Sequence, residues 1–407
     1  MPTHVPQTRS VHPVALTILY LPFGISGGYF TVTLAYLLAH AGVSVNQVAA
    51  LVALTILPGT WKVLWAPIID TTLTAKRWYI LSAWATGLAI LATAFVPARE
   101  NSLWVLSALT LLVSTLSTVL GMATEILMTH STAQDQRGRA GGWSQAGNLG
   151  GSGLGGGAGL WMAQHVAPWS AGVLLGLVCL LCCMALRWFQ SPIRSSEIVA
   201  YRDSLAAIGK DVLALVRSRV GFLTVVLLFL PLGTGAASGL WPAIADDWHA
   251  TADTVALVNG ALGGILSMVG CLIGGYLCDR MDRKTGYAVF GIVLAACAVG
   301  MGLAPRTPFT FIVFTSAYAF FLGFAYAAFT AVVLEIIGTR SAATQYNVLA
   351  CLSNIPIAYM TTVDGLAQTK WGSSGMLYTE AALGVAAAVF FMAIVRLTNR
   401  SRSPVVA

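Results

Sequence analysis

Residues 21–24 read Leu-Pro-Phe-Gly, and residues 230–233 read Leu-Pro-Leu-Gly, 209 positions later. The spacing recurs. Asp70 answers to Asp279, again 209 apart. Glu125-Ile-Leu-Met-Thr129-His130-Ser131 answers to Glu335-Ile-Ile-Gly-Thr339-Arg340-Ser341 at 210, and Gln145 to Asn354 at 209. One such match is weak. Four in order at nearly one offset describe a unit written twice along the chain.

Hydropathy says what the unit is made of. Of 407 residues, 57% are apolar and 9% charged, with a mean hydropathy of +0.78. A soluble domain carries about 25% charged residues, so too few charges exist here to cover a water-facing surface. Apolar stretches of spanning length fall at 14–39, 45–69, 78–97, 102–129, 140–164 and 170–189, then at 220–244, 253–278, 286–304, 309–337, 344–367 and 374–396. The expectation is an all-α membrane protein, with twelve transmembrane helices in two pseudo-symmetric six-helix bundles. Residues 1–190 form the first bundle, 191–219 a linker and 220–407 the second. Parallel repeats of this kind are related by an axis along the membrane normal, with the solute site between them near midplane. The polar head, residues 1–12, runs into Pro13 and a full-length span, which reads as a retained helix rather than a cleaved signal.

In the linker, Ile198, Tyr201, Leu205, Ile208, Val212 and Leu215 recur at spacings of three and four, while Arg202, Asp203, Lys210 and Asp211 fill the other face. This is an amphipathic helix, lying on the membrane surface or tethering the halves. With both termini on one side, eighteen Lys and Arg fall on that side and three (Arg99, Arg306, Lys370) on the other, leaving Lys62 inside a span. That bias places both termini in the cytoplasm of a bacterial-type inner membrane. It also explains the net charge of +7 without nucleic acid, since the basic residues sit at span ends and not in one patch. All seven cysteines lie in apolar runs and read as buried thiols. No spacing calls for a metal or a cofactor, and no feature calls for a second copy, so a monomer in the lipid bilayer is expected.

Two motifs carry more. Gly275-Tyr-Leu-Cys-Asp279-Arg280-Met-Asp282-Arg283-Lys284 joins the eighth and ninth spans. It resembles the Gly-x3-Asp-Arg-x-Gly-Arg-Arg/Lys loop of the major facilitator superfamily, with Asp282 where the family has Gly. An acid at a helix end beside a basic loop can latch a neighbouring helix and release it when the halves rock. Asp70, with its basic pair delayed to Lys76-Arg77, is the first-half copy. Trp61-Lys62-Val63-Leu64-Trp65-Ala66-Pro67-Ile68-Ile69-Asp70 is similar to the second-helix motif of the family containing muropeptide permeases, acetyl-coenzyme A transporters and some siderophore permeases. Ala343-Thr344-Gln345-Tyr346 also resembles that group. The resemblance implies alternating access and a large organic solute.

Lys62 lies about 12 Å deeper than Asp70 along a helix. An ammonium there costs at least ~2.5 kcal/mol unless it reaches water or a partner, so it should face a cavity and either bind an anionic solute or pair with an acid. Glu125 and Glu335 are candidates for proton coupling or gating, because a carboxyl at a dry helix interface can carry a proton. Glu380 is an alternative proton site, with Asp364 the other remaining acid. Trp61, Tyr29, Gln145, Asn148, Trp241, Asn259 and Asn354 are candidates for the substrate cavity beside Lys62. Asp70, Asp279, Arg280, Arg283, Lys284, Arg137 and Arg340 are candidates for a cytoplasmic gate. The glycine runs of the fifth and eighth spans suit close backbone contact between helices, not a phosphate loop, because neither follows a strand.

The resulting expectation is a secondary transporter, taking up a small-molecule substrate of siderophore, muropeptide or acyl-coenzyme A type with protons. A proton-driven efflux pump is the alternative. A membrane-embedded acyltransferase is the second alternative, and it lacks any nucleophile–base constellation.

Overall fold

The computed structural model describes residues 11–190, 201–339 and 341–400. Among the described residues there is no strand, and helices follow one another with short turns between them. Seven helical segments are long and apolar enough to cross a bilayer, or eight if the bent pair Ile208–Arg217 and Arg219–Phe229 counts as one. The longest, Ala342–Arg400, has 59 residues, which at about 1.5 Å per residue would be far longer than a bilayer is thick. It is broken at Gly372, whose φ of 70° only glycine adopts freely. It is therefore two spans, the eleventh and twelfth, joined by a tight reversal.

Other spans expected from hydropathy are present as interrupted helices. Span two runs Val45–Trp61, a 3-10 turn Lys62–Leu64, then Ala66–Thr71. Span five is Arg137–Gly153, a π-helical stretch Leu154–Ala158 and Gly159–His165. Span one, Val14–His40, holds a second π-helical stretch, Tyr29–Leu34. The two stretches face each other, with the Thr33 hydroxyl donating to the Gly155 and Gly156 carbonyls. The all-helical expectation thus holds among the described residues, with fewer continuous helices than hydropathy suggested.

The duplicated tetrapeptide takes two conformations. Pro22 sits inside the helix Val14–Gly28. In span seven the helix stops at Phe229, and Leu230 is extended (φ −74°, ψ 149°), as a residue before proline favours. Gly233 and Gly235 follow with φ of 65° and 71°, and helix resumes at Ala236. The continuous helix expected over 220–244 is corrected to a broken one, because left-handed Gly233 and Gly235 follow Pro231, where the matching positions of span one are the helical Gly24 and Ser26.

Helix starts also differ from the apolar boundaries. Spans three, nine and eleven begin at Ala75, Arg283 and Ala342, two or three residues before their apolar runs. Side-chain caps set the start: Thr74 accepts from the Arg77 N–H, and Asp282 from the Thr285 N–H at 2.8 Å. Asp282, in place of the family's glycine, is thus the cap of span nine.

The linker helix, Tyr201–Arg217, turns by 83° into span seven. Ile208 and Leu215 are buried, and the helix packs on the ends of spans two and eleven. Arg9 and Arg194, and Ile198 of the amphipathic pattern, lie outside the described residues.

Spans five and eight cross at the seam between the halves, with span ten against span five. A Cβ on Gly275 would stand 2.5 Å from the Gly138 carbonyl oxygen and 2.7 Å from the Gly142 Cα. On Gly264 it would stand 2.5 Å from the Gly153 Cα. Backbone cannot yield as a side chain can, so these helices touch only because Cβ is missing. Gly275→Ala is expected to cost about 1–3 kcal/mol, as overpacking does. It should lower the melting temperature in detergent, whereas Gly27→Ala, which meets nothing within 4 Å, should leave it unchanged. Equal melting temperatures for the two variants would refute the contact.

Candidate functional site

Between the halves lies a cavity of about 260 Å³. Tyr20 and Phe23 line it from span one, Gly59 and Lys62 from span two, and Thr118, Gly121 and Glu125 from span four. Gln145 and Asn148 come from span five. The second half contributes Gly233 and Thr234 from the break in span seven, Tyr287, Tyr326 and Phe329, and the face of span eleven from Tyr346 to Ile357.

Local backbone explains who faces in. Span two is unwound at Trp61 (φ −117°, ψ 5°) and Trp65 (φ −103°, ψ −4°), between Pro58 and Pro67. The unwound turn delivers the Lys62 ammonium to the cavity. Among the described residues Lys62 makes no hydrogen bond or ion pair, but it lies within electrostatic reach of Glu125 and Cys351.

Glu125 is 4% exposed and touches both halves. Tyr20 donates to its Oε1 at 3.3 Å, and the Asn347 amide of span eleven donates to Oε2 at 2.6 Å. Beside it, Asn148 donates to the Gln145 Oε1 at 2.9 Å, and Gln145 donates across the seam to the Thr330 hydroxyl at 2.9 Å. Thr330 lies 3.2 Å from the Tyr346 hydroxyl. The base of the cavity is therefore a polar network that stitches span four to span eleven and span five to span ten. Buried networks of this kind are stable only when nearly every member is satisfied.

Below it, on the face carrying the basic loops, two carboxylates close the bundle reciprocally. Asp70 of the first half accepts from the Ala343 N–H (3.1 Å), the Thr344 N–H (2.8 Å) and the Thr344 hydroxyl (2.7 Å), at the start of span eleven. Asp279 of the second half accepts from the Gly138 N–H (2.7 Å), the Arg139 N–H (3.1 Å) and the Arg139 side chain (2.9 Å), at the start of span five. Each acid satisfies orphan N–H groups at a helix N-terminus in the opposite half. Arg283 donates to the Gln134 carbonyl at 2.6 Å. Lys284 and Arg283 lie 3.1 and 3.7 Å from Glu335. Arg280 stacks on Tyr276, and Arg137 faces Arg283 and Glu335. Arg340 lies outside the described residues.

Of the expected cavity residues, Lys62, Gln145, Asn148 and Asn354 are brought together. Four are not. Tyr29 is buried in the first half with its hydroxyl against Thr93. Trp241 is buried in the second half against Tyr318. Asn259 borders a separate pocket with Val32 and Pro242. Trp61 is 41% exposed and does not line the cavity. Aromatic type suggested a wall without saying which face of a helix each ring takes, and the break in span two turns Trp61 away as it turns Lys62 inward. Glu125 and Glu335 match in sequence but not in setting, since only Glu335 has cations in ion-pair contact.

Tyr20, Thr330, Tyr346 and Asn347 were missed. A signal existed for span eleven, where Tyr346, Ala350, Ser353, Asn354 and Ile357 share one helical face.

The sequence pattern of the Major Facilitator Superfamily matches residues 16–359 and, again, 223–406. The chain belongs to the major facilitator superfamily. The family is one of membrane transporters, not of enzymes. The anhydromuropeptide permease of Escherichia coli K12 is 24% identical over 317 residues, covering 75% of this chain, and the O157:H7 protein matches equally. The chain spans 64% of the length of those curated relatives. An Escherichia coli fucose:proton symporter superposes with a TM-score of 0.68 at 16% identity, covering 93% of this chain and 98% of the symporter. The human organic anion transporter MFSD10 superposes at 0.69 with 14% identity, covering 93% and 99%. These superpositions establish the shared fold.

Replacing Asp70 and Asp279 together by Ala removes charge-assisted bonds worth about 1.5–3 kcal/mol each. Labelling of Cys351, which faces the Gly59 carbonyl at 3.8 Å, by a membrane-impermeant thiol reagent from the basic face is expected to rise roughly ten- to hundredfold. The measurement uses a chain whose other six cysteines are serine; unchanged labelling would show that these carboxylates do not hold the face shut.

Proposed function

We propose that this protein is a proton-coupled secondary transporter. It takes up an organic solute that carries a ring and an anionic group, across a bacterial-type inner membrane with both termini in the cytoplasm. The observation that carries the reading is Lys62, an ammonium without an ion pair inside a cavity between two halves, within electrostatic reach of a buried Glu125. A positive charge costs too much in a membrane to stand unpaired without water or a ligand. The solute's anionic group takes that place. Tyr20, Phe23, Tyr326 and Phe329 stack on its ring, and Gln145, Asn148 and Asn354 offer amides to its polar edge.

The cavity volume of about 260 Å³ lies below the ~300–1,000 Å³ of drug-sized sites. A large solute would seat one ring-sized head here and extend its remainder through the opening. The curated relatives are named for anhydromuropeptide transport, and on that ground an anhydromuropeptide is preferred over a siderophore or an acyl-coenzyme A.

Alternating access follows from the reciprocal latches. Residues 1–190 and 220–407 rock about the glycine seam of spans five and eight, while Asp70 and Asp279 hold the cytoplasmic face closed. Glu125 carries the coupling proton, because its bond to Asn347 reports the approach of the other half. Glu335, held by Lys284 and Arg283, belongs to the latch. A solute or proton shifts the balance of states only by binding one of them better.

Proteoliposomes loaded at neutral pH and placed in acidic medium are expected to accumulate anhydromuropeptide, and to lose accumulation when the gradient is collapsed. Glu125→Gln should abolish gradient-driven accumulation yet retain solute exchange. Lys62→Gln should raise KM roughly ten- to hundredfold, the loss of one charge-assisted bond. No gradient dependence in the native protein, or exchange lost together with accumulation in Glu125→Gln, would remove the coupling role. Increased drug sensitivity of a deletion strain, without loss of solute uptake, would favour an efflux pump instead.

A further inference from the structure

Away from the cavity, the second half contains a pair of carboxyls that the transport site does not use. Asp364 is fully buried, and neither of its carboxyl oxygens has a hydrogen-bond partner. Glu380 is 8% exposed. Tyr318 donates to its Oε1, the Ala237 N–H points at the same carboxyl, and Oε2 has no partner. The two acids sit eight residues before and eight after the reversal at Gly372, each therefore about 12 Å from the turn on adjoining helices. Equal depth on the two arms of a hairpin brings them within electrostatic reach of each other.

The surroundings are dry. Glu380 is held by Tyr318 and Ala237, members of an apolar cluster that also includes Trp241, Ala298, Leu377 and Ala381. From the packed elements, the titratable groups that face it are Tyr318 of span ten and, beyond it, Cys297 of span nine. Of the cations toward this end of the bundle, Lys370 stands two residues before Gly372, and Arg306 lies over Trp248 and is paired with Asp247 at 3.7 Å. Among the described residues neither Asp364 nor Glu380 makes an ion pair. Three carboxyl oxygens thus stand in an apolar core with no donor. A bare buried charge costs several kcal/mol, and an unmade hydrogen bond costs more than a made one returns.

We propose that Asp364 and Glu380 hold an exchangeable proton between them, forming a second proton site in the second half, separate from Glu125. One proton removes a charge from the core and creates the O–H donor that the other carboxyl lacks. Because both acids lie near the Gly372 turn, on the side away from the Asp70 and Asp279 latches, the site loads from the face opposite the basic loops. The inference reaches past the transport reading and stands whether or not Glu125 couples.

The test is infrared pH-difference spectroscopy of the purified full chain in detergent, in a Glu125→Gln background so that the cavity carboxyl is silent. A protonated-carboxyl C=O band that fades as pH rises is expected. Asp364→Asn or Glu380→Gln alone should shift the band and its midpoint, and the double variant should remove it. Should the double variant not fold, Asp364→Asn decides: a shifted band supports the shared proton and an untouched one overturns it. Absence of the band in the background protein overturns the proposal, as does an ionised-carboxylate signal that responds to sodium instead of pH.

Discussion

The structure depends on a carboxylate reaching across a seam to the bare end of a helix. A helix N-terminus leaves backbone N–H groups without partners and carries the positive end of the macrodipole. On the face with the basic loops, spans five and eleven would bury such ends between the halves. Asp70 and Asp279 satisfy them, each from the opposite half. The caps are intermolecular in character though intramolecular in fact: they bind the halves together without filling the seam with side chains. That leaves the seam to glycines, whose missing Cβ atoms let the backbones of spans five and eight touch.

Chemistry enters where helices are interrupted. Span two unwinds between two prolines and turns Lys62 inward. Span seven unwinds at Pro231 and contributes the backbone of Gly233 and Thr234 to the cavity wall. In a bilayer, non-helical backbone survives only where protein or water satisfies it, so each interruption marks a place that is not lipid. Glu125 needs no such break. It is reached from two helices at once, span one through Tyr20 and span eleven through Asn347, which belongs to the other half.

Much of this was legible in the sequence. Duplication, helix class and the acids at span ends follow from an offset, from hydropathy and from a handful of charges, all of which are one-dimensional signals. The intramembrane position of Lys62 was legible for the same reason, since one charge in an apolar run has few places to go. The helix face taken by each aromatic was not. Tyr29 and Trp241 went to bundle interiors, because the phase of a helix with apolar residues all round is fixed by packing rather than by periodicity. The break in span seven was hidden because Leu-Pro-x-Gly is helical in one copy and unwound in the other; the difference lies in Gly235, outside the repeated tetrapeptide. Asn347 escaped although four other span amides were weighed, because only the folded chain brings it against Glu125.

The inequality of Glu125 and Glu335 bears on how such a chain can change over time. A duplicated bundle begins with every functional group in two versions. Here one version is committed to Lys284 and Arg283, while the other is left without a cation in direct contact. Once the copies diverge in this way they are no longer interchangeable, and exchanging the two bundles' fourth and tenth helices would not regenerate a working molecule. Redundancy has become division of labour, and the twofold likeness that reveals the ancestry of the fold no longer describes its chemistry.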